Sequence, residues 1–222
     1  ALFGISDEAA IGVGIIGSYN REETRLGGKS RSRAGGVQLM ASHESADDGL
    51  RLYGTATVAK LDVSNERRYM NGGGVDSSTG KTDGIGYGAA AKVGYEFALP
   101  GKKSMTLMPY TELDVSHVSL DGYTETGGGF PAVVGDQDST FVASRIGAEV
   151  SAPVSAKALV RGRAAWGHRY SNGGAAVSTV AGITQSIPTD AGERDWAELG
   201  VGINWRLNED TTLTGDISGR VG

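Results

Sequence analysis

The stretch WAELGVGINWRL, Trp196 to Leu207, limits this chain to one kind of element. Every second residue from Ala197 gives Ala, Leu, Val, Ile, Trp and Leu, while the residues between give Trp, Glu, Gly, Gly, Asn and Arg. Period two with one apolar and one polar face is the pattern of a strand whose two sides meet different surroundings. Eight other segments repeat it. Their apolar positions include Ile11, Val13 and Ile15; Val37, Leu39 and Ala41; and Leu50, Leu52, Ala56 and Val58. Further along come Ala91, Val93 and Leu99; Leu107, Leu113 and Val115; Val142, Ile146 and Val150; Val160 and Ala164; and Leu213, Ile217 and Val221. Parity slips before Leu61 and Val63, which predicts a bulge there. No segment carries a helical period.

Composition agrees with an all-β chain. The 222 residues include 36 Gly, 5 Pro and no Cys, and glycine on this scale suits strands and turns, since each one in a helix costs about 1 kcal/mol. Mean hydropathy is -0.21, and no run approaches the ~18 apolar residues of a membrane helix. A barrel strand crosses with only ~9–11 residues, half of them apolar, so a spanning barrel can look hydrophilic on average. The net charge of -5 gives no basic surface for nucleic acid. The absence of cysteine excludes disulfides and thiolate chemistry. The chain opens on ALFGISDE, without Met or a visible signal peptide, and reads as a piece of something longer.

The connections alternate in length. Short turns fall at 45–49, 100–104, 153–156 and 208–211. Between them lie polar, Gly-rich stretches at 71–84, 125–138 and 172–193, and a polar hairpin tip at 25–31. Short turns at one end and long loops at the other are the arrangement of an outer-membrane barrel.

The polar faces carry Lys92, Glu96, Glu112, Asp114, Arg145 and Glu149, and further on Arg161, Arg163, Glu198, Arg206, Asp216 and Arg220. A small soluble barrel or sandwich fills its interior with apolar side chains. Every strand here is one-sided, so no second sheet is left to cover the apolar faces. Closing the sheet with apolar residues outward and these charges lining a pore resolves the conflict. Tyr95, Phe97 and Trp205 near the short-turn ends, with Tyr19, Trp166 and Tyr170 near the long-loop ends, then form two membrane-interface girdles. A soluble lipocalin-like barrel is the alternative.

Several longer motifs carry a family resemblance. LMPYTELDVSHVSLDGYTETGGG, LVRGRAAWGHRY, AKVGYEFAL and GITQSIPTDAGERDWAELGVGINWRL resemble, in that order and spacing, segments of autotransporter translocator domains. The resemblance is strongest from about Tyr87 to Gly222. It implies a type V secretion β-domain in the outer membrane of a Gram-negative bacterium, an antiparallel up-and-down transmembrane β-barrel that exports and anchors a passenger. It also implies twelve strands, a helical linker in the pore and a terminal aromatic residue. About nine strands are visible, ALFG reads as the tail of an earlier one, and residues 1–222 are expected to be one domain lacking its first strands and its last. The implied partners are membrane lipid and lipopolysaccharide, the passenger and its linker helix, and the barrel-assembly machinery. No cofactor, metal or catalytic residue is expected, and no nucleic acid. A passive channel or structural surface barrel is the competing function.

A third reading is an outer-membrane hydrolase. His117 and Ser119 share an outward face, and a Ser–His pair at that height could act as nucleophile and base. It would still need an oxyanion donor and a carboxamide, and neither is identifiable. His168 beside Trp166 reads as an interfacial side chain, and no histidine has metal-site spacing. The GGG triplet at 72–74 precedes no basic helix start and is not a phosphate loop.

Overall fold

The computed structural model describes residues 2–45, 49–101, 104–171, 174–188, 193–208 and 211–222. The tips of three expected short turns, at 46–48, 102–103 and 209–210, and parts of the 172–193 stretch lie outside these residues. The strands are β1 (Leu2–Gly4), β2 (Ala9–Glu23), β3 (Lys29–Glu44), β4 (Leu50–Asn71), β5 (Gly74–Tyr95), β6 (Phe97–Ala98), β7 (Thr106–Leu120) and β8 (Tyr123–Thr124). They continue with β9 (Ala132–Val134), β10 (Gln137–Ser155), β11 (Ala158–Arg169), β12 (Ala175–Val180), β13 (Ile183–Pro188), β14 (Asp195–Arg206) and β15 (Thr212–Val221).

The main sheet runs β1-β2-β3-β4-β5-β7-β10-β11-β14-β15, with β6 also on β7. Among the described residues it holds nine long antiparallel strands, each beside its neighbour in the chain, which is the up-and-down order expected. The ALFG tail is present as β1, with Phe3 opposite Ile11. Among the described residues the sheet is open: β1 and β15 each have a strand partner on one side only.

The sheet curls so that the polar face is concave. Long side chains meet there across an intervening strand: Lys92 of β5 approaches Glu149 of β10 at 3.8 Å, and Arg145 of β10 approaches Glu198 of β14 at 3.5 Å. Burial is inverted relative to a water-soluble fold. The convex face leaves Ile15 92%, Leu199 66%, Ile146 61% and Ile217 76% exposed, whereas Tyr110 and Trp196 on the concave face are buried. Such a contiguous apolar exterior is far larger than a soluble monomer shows.

Three expectations are corrected. First, β4 pairs without a register shift with both neighbours, so there is no bulge before Leu61 and Val63. Above the apolar band these two residues face inward, and Leu61 lies beside the position a Cβ on Gly86 would take. Outside lipid the convex face no longer requires apolar residues, so parity reverses with straight backbone. Among the described residues the one shift in the main sheet is at Pro153/Ser155, beside the short turn into β11.

Second, the stretch 71–84 is strand rather than loop. β4 and β5, of 22 residues each, form a hairpin closed by Gly72 and Gly73, whose φ values of 59° and 92° fit a two-residue turn of the kind glycine permits. Twenty-two residues span about 70 Å along a strand, more than twice what a bilayer needs, so the hairpin projects well past it. Third, among the described residues the stretches at 125–138 and 172–193, with Tyr123–Thr124 just ahead of the first, form a second, four-stranded sheet, β13-β12-β9-β8, at the loop end. It leaves the convex face uncovered.

Candidate functional site

The concave face is organised around Arg145. Its Nη1 donates to Glu112 Oε1 at 2.6 Å and to Asp114, both on β7, and its Nε lies 3.5 Å from Glu198 Oε2 on β14. Glu198 also receives Arg163 Nη2 at 3.0 Å. Strand register brings these groups together, since Arg145 lies opposite Glu112 and Arg163 opposite Glu149. Toward the short-turn end, Lys92 Nζ reaches Glu149 and stands 4.1 Å over the Tyr110 ring and 5.7 Å over that of Tyr53. Arg161 pairs with Asp216 at 3.3 Å and Arg51 with Glu96 at 3.2 Å.

Eleven of the twelve charges expected to share this face join these contacts. Arg220 does so through Trp196, whose ring lies 5.5 Å from its guanidinium and 5.9 Å from that of Arg145. Arg206 shares the face, exposed and in register with Thr212, and makes no ion pair among the described residues.

Glycines make room for the large inward groups. A Cβ on Gly167 would stand 2.2 Å from Trp196 Cε2, and one on Gly200 2.7 Å from Arg163 Nε. The indole of Trp196 therefore lies across the bare backbone of β11. Trp196, Tyr110, Tyr53 and Arg51 were missed as site residues. Parity places Trp196 and Tyr110 with the charges, but an aromatic residue reads as lipid-facing unless parity is weighed above hydrophobicity.

Charge pairing neutralises most of this surface and leaves some donors unspent. Arg145 Nε, Arg161 Nε, Arg163 Nε and Trp196 Nε1 are buried without a protein hydrogen bond. Chemically the face can hold water and polar backbone. Tyr19, Tyr95, Phe97, Trp166, Tyr170 and Trp205 all point outward and are 41–58% exposed.

His117 does not pair with Ser119. Its Nδ1 lies 2.9 Å from Thr140 Oγ1, its Nε2 3.5 Å from Asp138, and its ring 5.1 Å from that of Tyr87. His168 bonds Asp195 at 2.8 Å and stacks on Trp166. Both histidines sit among the outward aromatics.

At the loop end a second polar cluster fastens the segment between β7 and β10 onto the β4–β5 hairpin. Glu125 accepts from Arg67 Nη2 at 2.7 Å, Ser78 Oγ at 2.6 Å and the Ala132 amide at 2.9 Å. Arg67 also donates to the Phe130 carbonyl, and Thr126 exchanges both backbone hydrogen bonds with Thr79. Burial pushes the Glu125 carboxyl up, but the hydrogen bonds from Arg67, Ser78 and Ala132 more than offset it and hold it below its ordinary value. Asp76 is likewise held down by hydrogen bonds from Asn71 and from the Gly129 and Ser77 amides.

Comparison with known proteins agrees with this architecture. The model of the autotransporter beta-domain family matches residues 5–218. The translocator domain of autotransporter NalP from Neisseria meningitidis superposes with a TM-score of 0.68 at 14% identity, over 99% of this chain and 76% of that one. The transport unit of autotransporter AIDA-I from Escherichia coli aligns with a TM-score of 0.43 at 12% identity, over 98% of this chain and 86% of that one. Esterase EstA of Pseudomonas aeruginosa and that of Pseudomonas putida are each 28% identical over 143 residues. That stretch is 61% of this chain, and the match spans 21% of the length of each relative.

Proposed function

The chain belongs to the autotransporter β-domain family, outer-membrane barrels of Gram-negative bacteria, and from that premise we propose that its concave face lines the path by which an attached passenger reaches the cell surface and is anchored there. The observation that carries this reading is the inverted distribution of side chains. An apolar convex face suits lipid, while paired charges and glycines on the concave face suit a hydrated path.

A passing or resting peptide presents backbone carbonyls and amides. The part-exposed side chains of Arg161, Arg163 and Asp216 present donors and acceptors to such a chain, and Glu112, Asp114 and Glu198 remain compensated whether or not the path is occupied. Pairing within the wall keeps any one charge from trapping a moving chain. The outward aromatics lie at the two membrane interfaces, with the short turns periplasmic and the β4–β5 hairpin and second sheet extracellular. The linker helix of the family would rest against the concave face, and the barrel-assembly machinery would insert the domain. The domain does no chemistry in this reading: the esterase name belongs to its relatives, and His117 contacts Thr140 and Asp138 instead of Ser119.

The open edges at β1 and β15 cannot remain unpaired in hydrocarbon, where each unsatisfied backbone group costs several kcal/mol. Further strands at both edges would close the barrel, so residues 1–222 act as part of a larger barrel. The test is surface display. With the full-length protein in the outer membrane, protease added to intact cells should release a passenger fused ahead of the domain, and an epitope between Ala181 and Gly182 should be detected without permeabilisation. A passenger detected only in the periplasm beside a correctly inserted barrel would favour a passive channel.

A further inference from the structure

The convex face of β2 to β5 changes character above the apolar band, and it does so in rows set by the strand register. Ile15, Val37, Val58 and Tyr87 form one row, and two residues higher come Gly17, Gly35, Lys60 and Ile85. Above these lie Tyr19, Arg33, Asp62 and Asp83, and then Arg21, Arg31, Ser64 and Lys81. Arg21 and Arg31 are directly opposite each other, an arrangement that is unfavourable by itself. Arg21, Arg31, Arg33 and Lys81 are all exposed. None of them forms a salt bridge among the described residues, although two neighbouring cations on this face do: Lys60 with Asp83 at 3.5 Å and Arg68 with Glu66 at 2.8 Å. The carboxylates left on the face are Asp62 beside Arg33 and Glu23 beside Lys29.

The height of this cluster indicates its partner. The Arg33 guanidinium stands 5.8 Å from the ring of Tyr19, an outward aromatic at the upper margin of the apolar band. Arg21 and Arg31 lie about 7 Å farther along their strands. Facing outward, they are turned away from the concave path and toward whatever surrounds the barrel. Apolar contacts below and unpaired guanidinium groups immediately above match a lipid with acyl chains and anionic phosphates. Guanidinium binds phosphate bidentately, which makes arginine the suitable residue at this level. The facing Gly17 and Gly35 leave a shallow dent between the two regions, since a Cβ on Gly35 would meet nothing within 4 Å.

We propose that Arg21, Arg31 and Arg33, with Lys81, form a binding site for the phosphate groups of lipopolysaccharide in the outer leaflet, with its acyl chains on Ile15, Val37 and Val58. The site rests on the membrane reading above. Its test uses the full-length protein refolded into phosphatidylcholine vesicles with lipopolysaccharide, with the same glycolipid after removal of its lipid A phosphates, or with inorganic phosphate alone. The readouts are insertion, scored by protease protection, and glycolipid retained per protein after extraction. We expect retention of phosphorylated lipopolysaccharide to fall by about tenfold or more in the Arg21→Gln, Arg31→Gln, Arg33→Gln triple variant, with insertion unchanged. Arg→Lys at the same three positions should fall between the two. Equal retention by wild type and triple variant, equal retention of the dephosphorylated form, or displacement by millimolar inorganic phosphate would overturn the site while leaving the membrane reading intact. Failure of the wild type to insert even in vesicles that carry the barrel-assembly machinery would remove the membrane reading and the site together.

Discussion

Arg67 and Glu125 are 58 residues apart in the chain, and their side chains meet at 2.7 Å with the carboxylate only 3% exposed. The pair ties the segment between β7 and β10 to the projecting β4–β5 hairpin, and Ser78 and Ala132 complete the coordination of the carboxylate. Glu125→Ala leaves a part-buried guanidinium and a buried hydroxyl without their acceptor, and should loosen this contact by roughly 1–3 kcal/mol. We expect faster proteolysis between Gly127 and Phe130 with the main sheet still resistant; unchanged cleavage would show that the backbone exchange of Thr79 with Thr126 suffices.

The same carboxylate sets a pH response. Because its pKa is lowered on folding, its contribution is complete above the unfolded value, near 4.3, and is lost as pH falls through the lowered folded value. Amide hydrogen exchange of the Ala132 region should therefore be level from pH 7 to about 5 after correction for intrinsic rates, then rise below about 4. Glu125→Gln should abolish that acid limb. A response centred near pH 6.5 would implicate a histidine instead.

On the concave face, Arg145→Met removes the shared partner of Glu112, Asp114 and Glu198. Three carboxylates would then crowd one another, at a cost of about 3 kcal/mol, less than for a dry site because these side chains keep around a fifth of their exposure. The heat-modifiability midpoint of the purified barrel should drop clearly, and adding Glu112→Gln should recover part of the loss. An unchanged midpoint would mean that water screens the cluster fully.

Gly167→Ala tests whether the indole of Trp196 needs bare backbone beneath it. The new methyl would stand 2.2 Å from the ring, so Trp196 must move, at a cost of about 1–3 kcal/mol. Gly162→Ala, five residues earlier on β11 with nothing within 4 Å, is the control. We expect the denaturant midpoint and the near-ultraviolet tryptophan signal to change for the first variant alone.

Strand existence, face and order were legible because lipid on one side and water on the other impose strict alternation on ~10 residues of each crossing. The same parity placed Arg145, Glu112 and Glu198 on one face before any contact was visible. It failed where lipid ends. Leu61 and Val63 reverse face without a bulge, and Val75 to Gly84, polar on both sides, reads as loop yet continues β5. The Arg67–Glu125 contact was out of reach because it depends on how a long segment folds back onto a hairpin, for which neither partner carries a local signal. The arginines of β2 and β3 were visible only as polar hairpin ends until register placed Arg21 opposite Arg31.

The central claim is that one face of this sheet meets lipid and the other water. The chain has no cysteine, so single cysteines at each position from Leu199 to Asn204 can carry a spin label in the barrel within a bilayer. Accessibility to oxygen, which concentrates in lipid, and to a water-soluble nickel chelate is then measured at each site. The expected result is alternation with period two, Leu199, Val201 and Ile203 favouring oxygen and Gly200, Gly202 and Asn204 favouring the chelate or protected from both. Labels at Leu199, Val201 and Ile203 that meet the chelate as readily as oxygen would contradict the claim.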